Sequence, residues 1–147
     1  MMLSGEYRHS VDAKNRVSVP AKLRDDLGPE FMILRSIRSK CLRFYSIPAW
    51  EEYVEPLKKL PRELSEKTFR YLYRDSVKVS PDSLGRVLIP QSLLDFAGIQ
   101  PDSAGNRNAV VVGCGDFGEI WSEEEYAKCM AELNVDEIRR ALEESGL

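Results

Sequence analysis

Two short segments carry residue types that could act on a ligand: Asp12-Ala13-Lys14-Asn15-Arg16 and Asp82-Ser83-Leu84-Gly85-Arg86. In each, an acid and an arginine stand four positions apart, and the residue before the arginine is Asn15 or Gly85. Both of those types tolerate the left-handed backbone region. The pattern reads as a tight turn opened by the aspartate, whose carboxylate bonds to backbone N–H groups ahead of it. The arginine then starts the returning strand of a hairpin. A two-stranded β ribbon fits the major groove of DNA, and arginine can contact guanine bidentately, so the chemistry on offer is nucleic-acid recognition. Lys14 and Arg16 flank a turn that projects into solvent, and Arg8 lies on the incoming strand. Arg8, Lys14, Arg16 and Arg86 are therefore the candidate DNA contacts, while Asp12, Asn15, Asp82 and Gly85 are read as turn-structural. A second role stays open for both arginines, namely pairing with Asp12 and Asp82 to stiffen the turn. Leu84 occupies the place matching Lys14, which balances the two roles for Arg86, whereas the basic neighbourhood favours DNA for Arg16. A further basic group, Arg35, Arg38, Lys40 and Arg43, either extends the footprint or is a solvated loop.

Other chemistry finds less support. Gly113-Cys114-Gly115-Asp116-Phe117-Gly118 has the spacing of a dinucleotide loop, but Glu119-Ile120-Trp121 after it reads as a strand. A pyrophosphate needs a helix N-terminus there, and Asp116 would repel it, so a hairpin turn is the better reading. Cys114 and His9 lack a third group to orient a nucleophile. Three cysteines without a C-x-x-C pair and one histidine argue against zinc or a disulfide framework. The expectation is a non-enzyme with no cofactor, no metal and no small-molecule substrate.

Composition is that of a folded globular chain, 43% apolar and 31% charged, with no apolar run near the ~20 residues of a membrane helix. The N-terminal residues lack the basic and apolar regions of a secretory signal, so the expected compartment is the cytoplasm. The net charge of −3 is unevenly spread. Residues 1–74 hold 15 basic and 10 acidic side chains, and residues 75–147 hold 6 and 14. Between Arg8 and Arg24 there is one acid, Asp12, among five basic residues, which gives the local positive footprint a DNA binder needs.

The two turns belong to a duplication. Laid over each other with a shift of 70, Tyr7–Gly28 and Val77–Gly98 agree at eight of 22 positions. Each copy predicts a turn, a β-branched strand (Arg16–Val19 or Arg86–Ile89), a helix-opening proline and a short helix, Ala21–Leu27 or Gln91–Ala97, ended by glycine. Further strands follow, with Phe31-Met32-Ile33-Leu34 answering Ala109-Val110-Val111-Val112. Between the copies, a helix near Pro48–Tyr53 breaks at Pro56, and Arg62–Arg74 turns Leu64, Phe69 and Leu72 toward a core. Ser122-Glu123-Glu124-Glu125 opens a C-terminal helical segment with Ala127, Cys129 and Met130 in its apolar content. No linker separates the copies, so they are expected to pack together.

Glu6-Tyr7-x-His9-x-x-Asp12-Ala13-Lys14-Asn15-Arg16-Val17-Ser18-Val19-Pro20 resembles the opening of the MraZ family, regulators with two SpoVT-AbrB-type modules. Asp82-x-x-Gly85-Arg86-Val87-x-Ile89-Pro90 is similar to that family's second module. The resemblance implies an α+β fold, a duplicated swapped-hairpin β-barrel (a double AbrB-like module) with flanking helices. The corresponding partition is modules at 5–53 and 76–126, a helical connector at 54–75 and a helical tail at 127–147. It further implies a nucleoid-associated transcription regulator binding double-stranded DNA at promoter direct repeats as a ring homo-oligomer. The usual target is the division and cell-wall gene cluster with the regulator's own gene, and the usual outcome repression. By position, Arg16 and Arg86 are the motif arginines and Lys14 the basic neighbour; Asn15 stands where the family commonly has glycine. Two alternatives remain: an antitoxin-type partner-binding module, which would carry a disordered tail, and a structural oligomer without a DNA role.

Overall fold

The computed structural model describes residues 2–147. The first copy runs β1 (Glu6–Val11), β2 (Arg16–Ser18), α1 (Ala21–Leu27), β3 (Phe31–Arg35) and β4 (Leu42–Ser46). After it come α2 (Ile47–Val54), a 3₁₀ turn (Pro56–Lys59) and α3 (Arg62–Tyr73). The second copy repeats the order with β5 (Val77–Val79), β6 (Arg86–Leu88), α4 (Gln91–Ala97), β7 (Arg107–Gly113) and β8 (Gly118–Ser122), followed by α5 (Glu123–Ala131) and α6 (Val135–Glu144). The architecture is α+β, with antiparallel pairing throughout.

The strands on either side of each turn do not form the expected hairpin ladder. Asp12 N donates to Arg16 O at 2.9 Å, and beyond that bond β1 and β2 part into different sheets. β1 pairs with β7 of the other copy, and β5 pairs with β3, so each copy lends its first strand to its neighbour. The resulting six-stranded order is β1-β7-β8-β4-β3-β5. β2 and β6 pair separately with Val17 opposite Val87, two residues related by the 70-residue shift, so a pseudo-twofold axis passes between them.

One core fills the space between the copies and draws on equivalent positions of both. Val17 and Val87, Val19 and Ile89, Leu23 and Leu93, and Leu27 and Ala97 are all buried in it. Fully burying side chains of this size stabilises by roughly 1.5–3 kcal/mol each before chain entropy is counted, so neither copy has a reason to stand alone. A second cluster beneath α2 and α3 holds Leu34, Tyr45, Trp50, Val54 and Leu72. Phe69 packs against it, but Leu64, expected on the same face, is 50% exposed. Leu64 stands eight residues before Leu72, which turns it about 80° around the helix from that buried residue.

The repeat extends past the sheet, since β4 and β8 each end in a serine that caps a helix. Ser46 Oγ accepts from Ala49 N at 3.2 Å and Ser122 Oγ from Glu125 N at 3.0 Å. The C-terminal segment is two helices, and of the residues expected to be apolar content there, Ala127, Cys129 and Met130 are all exposed while Tyr126 is buried. No helix among the described residues is long and apolar enough to cross a membrane.

The glycine-rich segment closes the β7–β8 hairpin, with Cys114 N donating to Phe117 O at 2.8 Å. Two of its glycines answer to packing, because a Cβ on Gly118 would lie 2.0 Å from the Phe44 ring and one on Gly113 would lie 2.3 Å from Ser4 N, while Gly115 answers to its left-handed backbone (φ 88°). Gly118→Ala should therefore destabilise the fold by roughly 1–3 kcal/mol, the usual cost of overpacking. The measurement is a urea midpoint, and an unchanged midpoint would contradict this packing.

Candidate nucleic-acid interface

Each turn is organised by its aspartate. Asp12 Oδ1 accepts from Lys14 N at 2.9 Å and Arg16 N at 2.8 Å, and Oδ2 accepts from Arg16 Nε at 2.8 Å. Asp82 repeats the set with Leu84 N at 3.0 Å, Arg86 N at 2.8 Å and Arg86 Nε at 2.9 Å. Asn15 (φ 61°) and Gly85 (φ 78°) both occupy the left-handed region, which the motif requires just before the arginine.

That backbone reversal aims the carbonyls of Asn15 and Gly85 at the opposite copy. Ile89 N donates to Asn15 O at 2.8 Å, and Val19 N donates to Gly85 O at 2.9 Å. Arg86 Nη1 also comes within 3.9 Å of Asp12 Oδ2, and Asn15 Nδ2 donates to Gln91 Oε1 at 3.1 Å. The two turns thus stand side by side as one unit about the pseudo-twofold axis.

Both arginines pair with their aspartates, so the turn-stiffening role expected as an alternative is present in each. They use Nε to do it. With 29% of each side chain exposed, both arginines keep solvent-facing surface beside the turn. A charge-assisted bond at Nε fixes the plane of the guanidinium and leaves its outer edge as a fork. Arg16 and Arg86 are equivalent in this geometry, despite Lys14 beside one and Leu84 beside the other.

Arg8 stands apart from this unit. It lies four residues up β1 from Asp12, about 13 Å along a strand, and its guanidinium is 3.4 Å from Glu6 and 3.8 Å from Glu123. Arg35 and Arg43, expected to be either footprint or solvated loop, are neither. Arg35 pairs with Asp75 and lies 4.6 Å over the Phe96 ring. Arg43 lies 3.9 Å over Phe117 and donates to Tyr45 Oη at 3.2 Å. These side chains are 11% and 16% exposed, too buried to reach a phosphate. Lys40 faces Glu125 at 3.6 Å.

Two arginines that support the turns were not among the expected site residues. Arg107, at the start of β7, donates through Nη1 to Asn15 Oδ1 at 2.8 Å and through Nη2 to the Asp12 carbonyl. Arg24, on α1, donates through Nε to Val19 O at 2.9 Å and lies directly against Gly85, where a Cβ would come within 2.7 Å of its Cζ. Each turn therefore receives an arginine from the opposite copy. Arg24 aligns with Leu94, a break in the repeat at an otherwise matched helix, and that asymmetry was the available signal. Arg107 lies outside the matched 22 residues and gave none.

The thiols are poor nucleophiles. Burial and the neighbouring Glu119 carboxylate push Cys114 up to about 12, and burial raises Cys41 still further.

The Asp12 and Asp82 carboxyls are held below the ordinary aspartate value of 3.8, chiefly by the backbone N–H of Arg16 or Arg86, with partial burial opposing. A lowered folded value means that the carboxylates' contribution to stability is complete above about pH 3.8 and is lost as pH falls through the lower folded value. Carboxyl-carbon NMR titration should give both residues midpoints below 3.8, with Asp12 moving back up in Arg16→Ala. Midpoints at or above 3.8 would refute the bracing.

Comparison with known proteins gives a consistent result. The family model described as "MraZ protein, putative antitoxin-like" matches residues 2–70 and 72–145. A transcriptional regulator MraZ of Caldicellulosiruptor bescii is 39% identical across 99% of this chain and 100% of its own length. Proteins of the same name from Clostridium tetani and Alkaliphilus oremlandii are 34% and 35% identical, each again over 99% of this chain and 100% of the relative.

Proposed function

The chain belongs to the MraZ family, and on that premise we propose that it is a sequence-specific DNA-binding transcription regulator whose paired turns are the DNA contact. The observation that carries this reading is the braced pair of turns, with Arg16 and Arg86 oriented by Asp12 and Asp82 at the pseudo-twofold axis. Lys14 at the tip of the first turn adds an exposed charge for phosphate. Phosphate contacts set position, while an oriented arginine fork can read a guanine edge. Arg8 is a peripheral contact in this reading, because Glu6 and Glu123 already face it. The relatives' shared designation as transcriptional regulators supports the same function.

The finer features follow from the family resemblance. The fold is a swapped-hairpin barrel of two AbrB-type modules, 5–53 and 76–126, with connector 54–75 and tail 127–147; strand exchange between the copies supports it. Subunits close into a ring on promoter direct repeats, and the outcome is repression of the division and cell-wall cluster and of the protein's own gene, in the cytoplasm at the nucleoid. A ring suits a small footprint, since linked subunits on spaced repeats multiply affinity without new contacts. The family description includes "antitoxin-like". An antitoxin-type module would carry a disordered tail, whereas the segment after β8 forms α5 and α6, so DNA regulation is the better reading.

The test is binding of the chain to its own upstream DNA at two salt concentrations. Arg16→Ala and Arg86→Ala should each weaken binding about 5- to 150-fold, the range of about 1–3 kcal/mol for a base contact. Lys14→Ala should weaken binding to all sequences alike and lower the salt slope by about 1. Wild-type binding by both arginine variants would exclude the turns as the contact.

A further inference from the structure

We propose that α6 is a docking arm for a second copy of this chain, which it engages by seating its apolar stripe on the basic face of that copy's α3. The inference rests on the self-association part of the proposed function and assigns surfaces to it.

No residue from Ala127 to Leu147 is buried. Val135, Ile138 and Leu142 nevertheless fall on one face of α6, at spacings of three and four, and are 59%, 46% and 45% exposed. The helix is well started, since Asn134 Oδ1 accepts from Asp136 N at 2.9 Å and Glu137 N at 3.2 Å. Ten residues are too few for a stable helix alone in water, where most helical stability comes from burying an amphipathic face. The stripe needs a surface to cover it.

Charge decides between the surfaces on offer. A groove of about 1000 Å³ floored by Tyr45, Tyr53 and Phe117 would suit an apolar stripe, but Asp25, Asp26, Glu30, Glu52 and Asp116 line it against a single base, Arg43. The arm, Val135–Glu144, carries four acids against two bases, so that rim repels it. Residues 58–74 carry six bases against two acids and present Leu64, half exposed, on α3. Lys59, Arg70 and Arg74 have no carboxylate partner among the described residues. Within one chain, α3 and α6 share no hydrogen bond or ion pair among the described residues. A tail-to-connector contact uses two different surfaces, which is the heterologous kind that closes into rings.

The experiment is light scattering on the full chain, a chain ending at Leu133, Ile138→Asp, and the double variant Arg70→Glu/Arg74→Glu. The full chain should be a multi-subunit assembly, and all three variants should fall to lower mass while keeping the near-UV circular dichroism of the buried Trp50 and Trp121, because α6 contributes nothing to the core. The chain ending at Leu133 keeps the acceptor, and the α3 double variant keeps the arm. Mixed, they should form a one-to-one dimer and nothing larger. Full assembly mass without α6, or no dimer in the mixture, would overturn the assignment of surfaces while leaving self-association standing. A monomeric full chain would overturn both, with the DNA contact judged separately by the binding titration.

Discussion

A single carboxylate that accepts three N–H groups at once governs this molecule, and it occurs twice. Asp12 and Asp82 each gather two backbone N–H groups and the Nε of an arginine four residues on. Closing the chain that tightly forces the residue before the arginine into the left-handed region, which Asn15 and Gly85 tolerate. The same reversal points their carbonyls at Ile89 and Val19, so a local turn becomes a bond between the copies. From there β2 and β6 pair, β1 and β5 cross to opposite partners, and the core fills from both sides.

The bracing also resolves an apparent contradiction at the proposed interface, since a carboxylate beside the proposed DNA contact should repel phosphate. Here each carboxylate is engaged by three donors of its own turn, and its charge is offset by the arginine it holds. What the turn gives up in net charge it gains in direction: a guanidinium fixed at Nε presents a planar fork in one orientation. Recognition of that kind depends on geometry more than on attraction, which suits a protein with a net charge of −3. In the proposed contact, general attraction to the DNA backbone falls to the exposed Lys14.

Local features were legible in the sequence and pairings over distance were not. The turns, their left-handed residues, both short helices and the glycines that end them follow from residues within a few positions of one another. The hairpin expectation failed because alternation identifies a strand without naming its partner, and β1 finds its partner about a hundred residues away. Arg35 and Arg43 look in sequence like Arg38 and Lys40, and only the fold shows them lying over Phe96 and Phe117. Arg24 and Arg107 reach the turns through the same strand exchange, which no local window contains. Leu64 has the spacing of a core residue, but it is turned about 80° from Leu72 around α3 and stands half exposed.

In the proposed contact Asp12 acts on DNA through Arg16, and the affinity of Asp12→Ala for the upstream DNA tests this most directly. Removing a negative charge beside a phosphate backbone would, on electrostatics alone, tighten binding. If the carboxylate orients the contact, binding weakens instead, and the Asp12→Ala/Arg16→Ala double variant binds no worse than Arg16→Ala alone. Tighter or unchanged binding by a correctly folded Asp12→Ala would contradict the orienting role of the carboxylate.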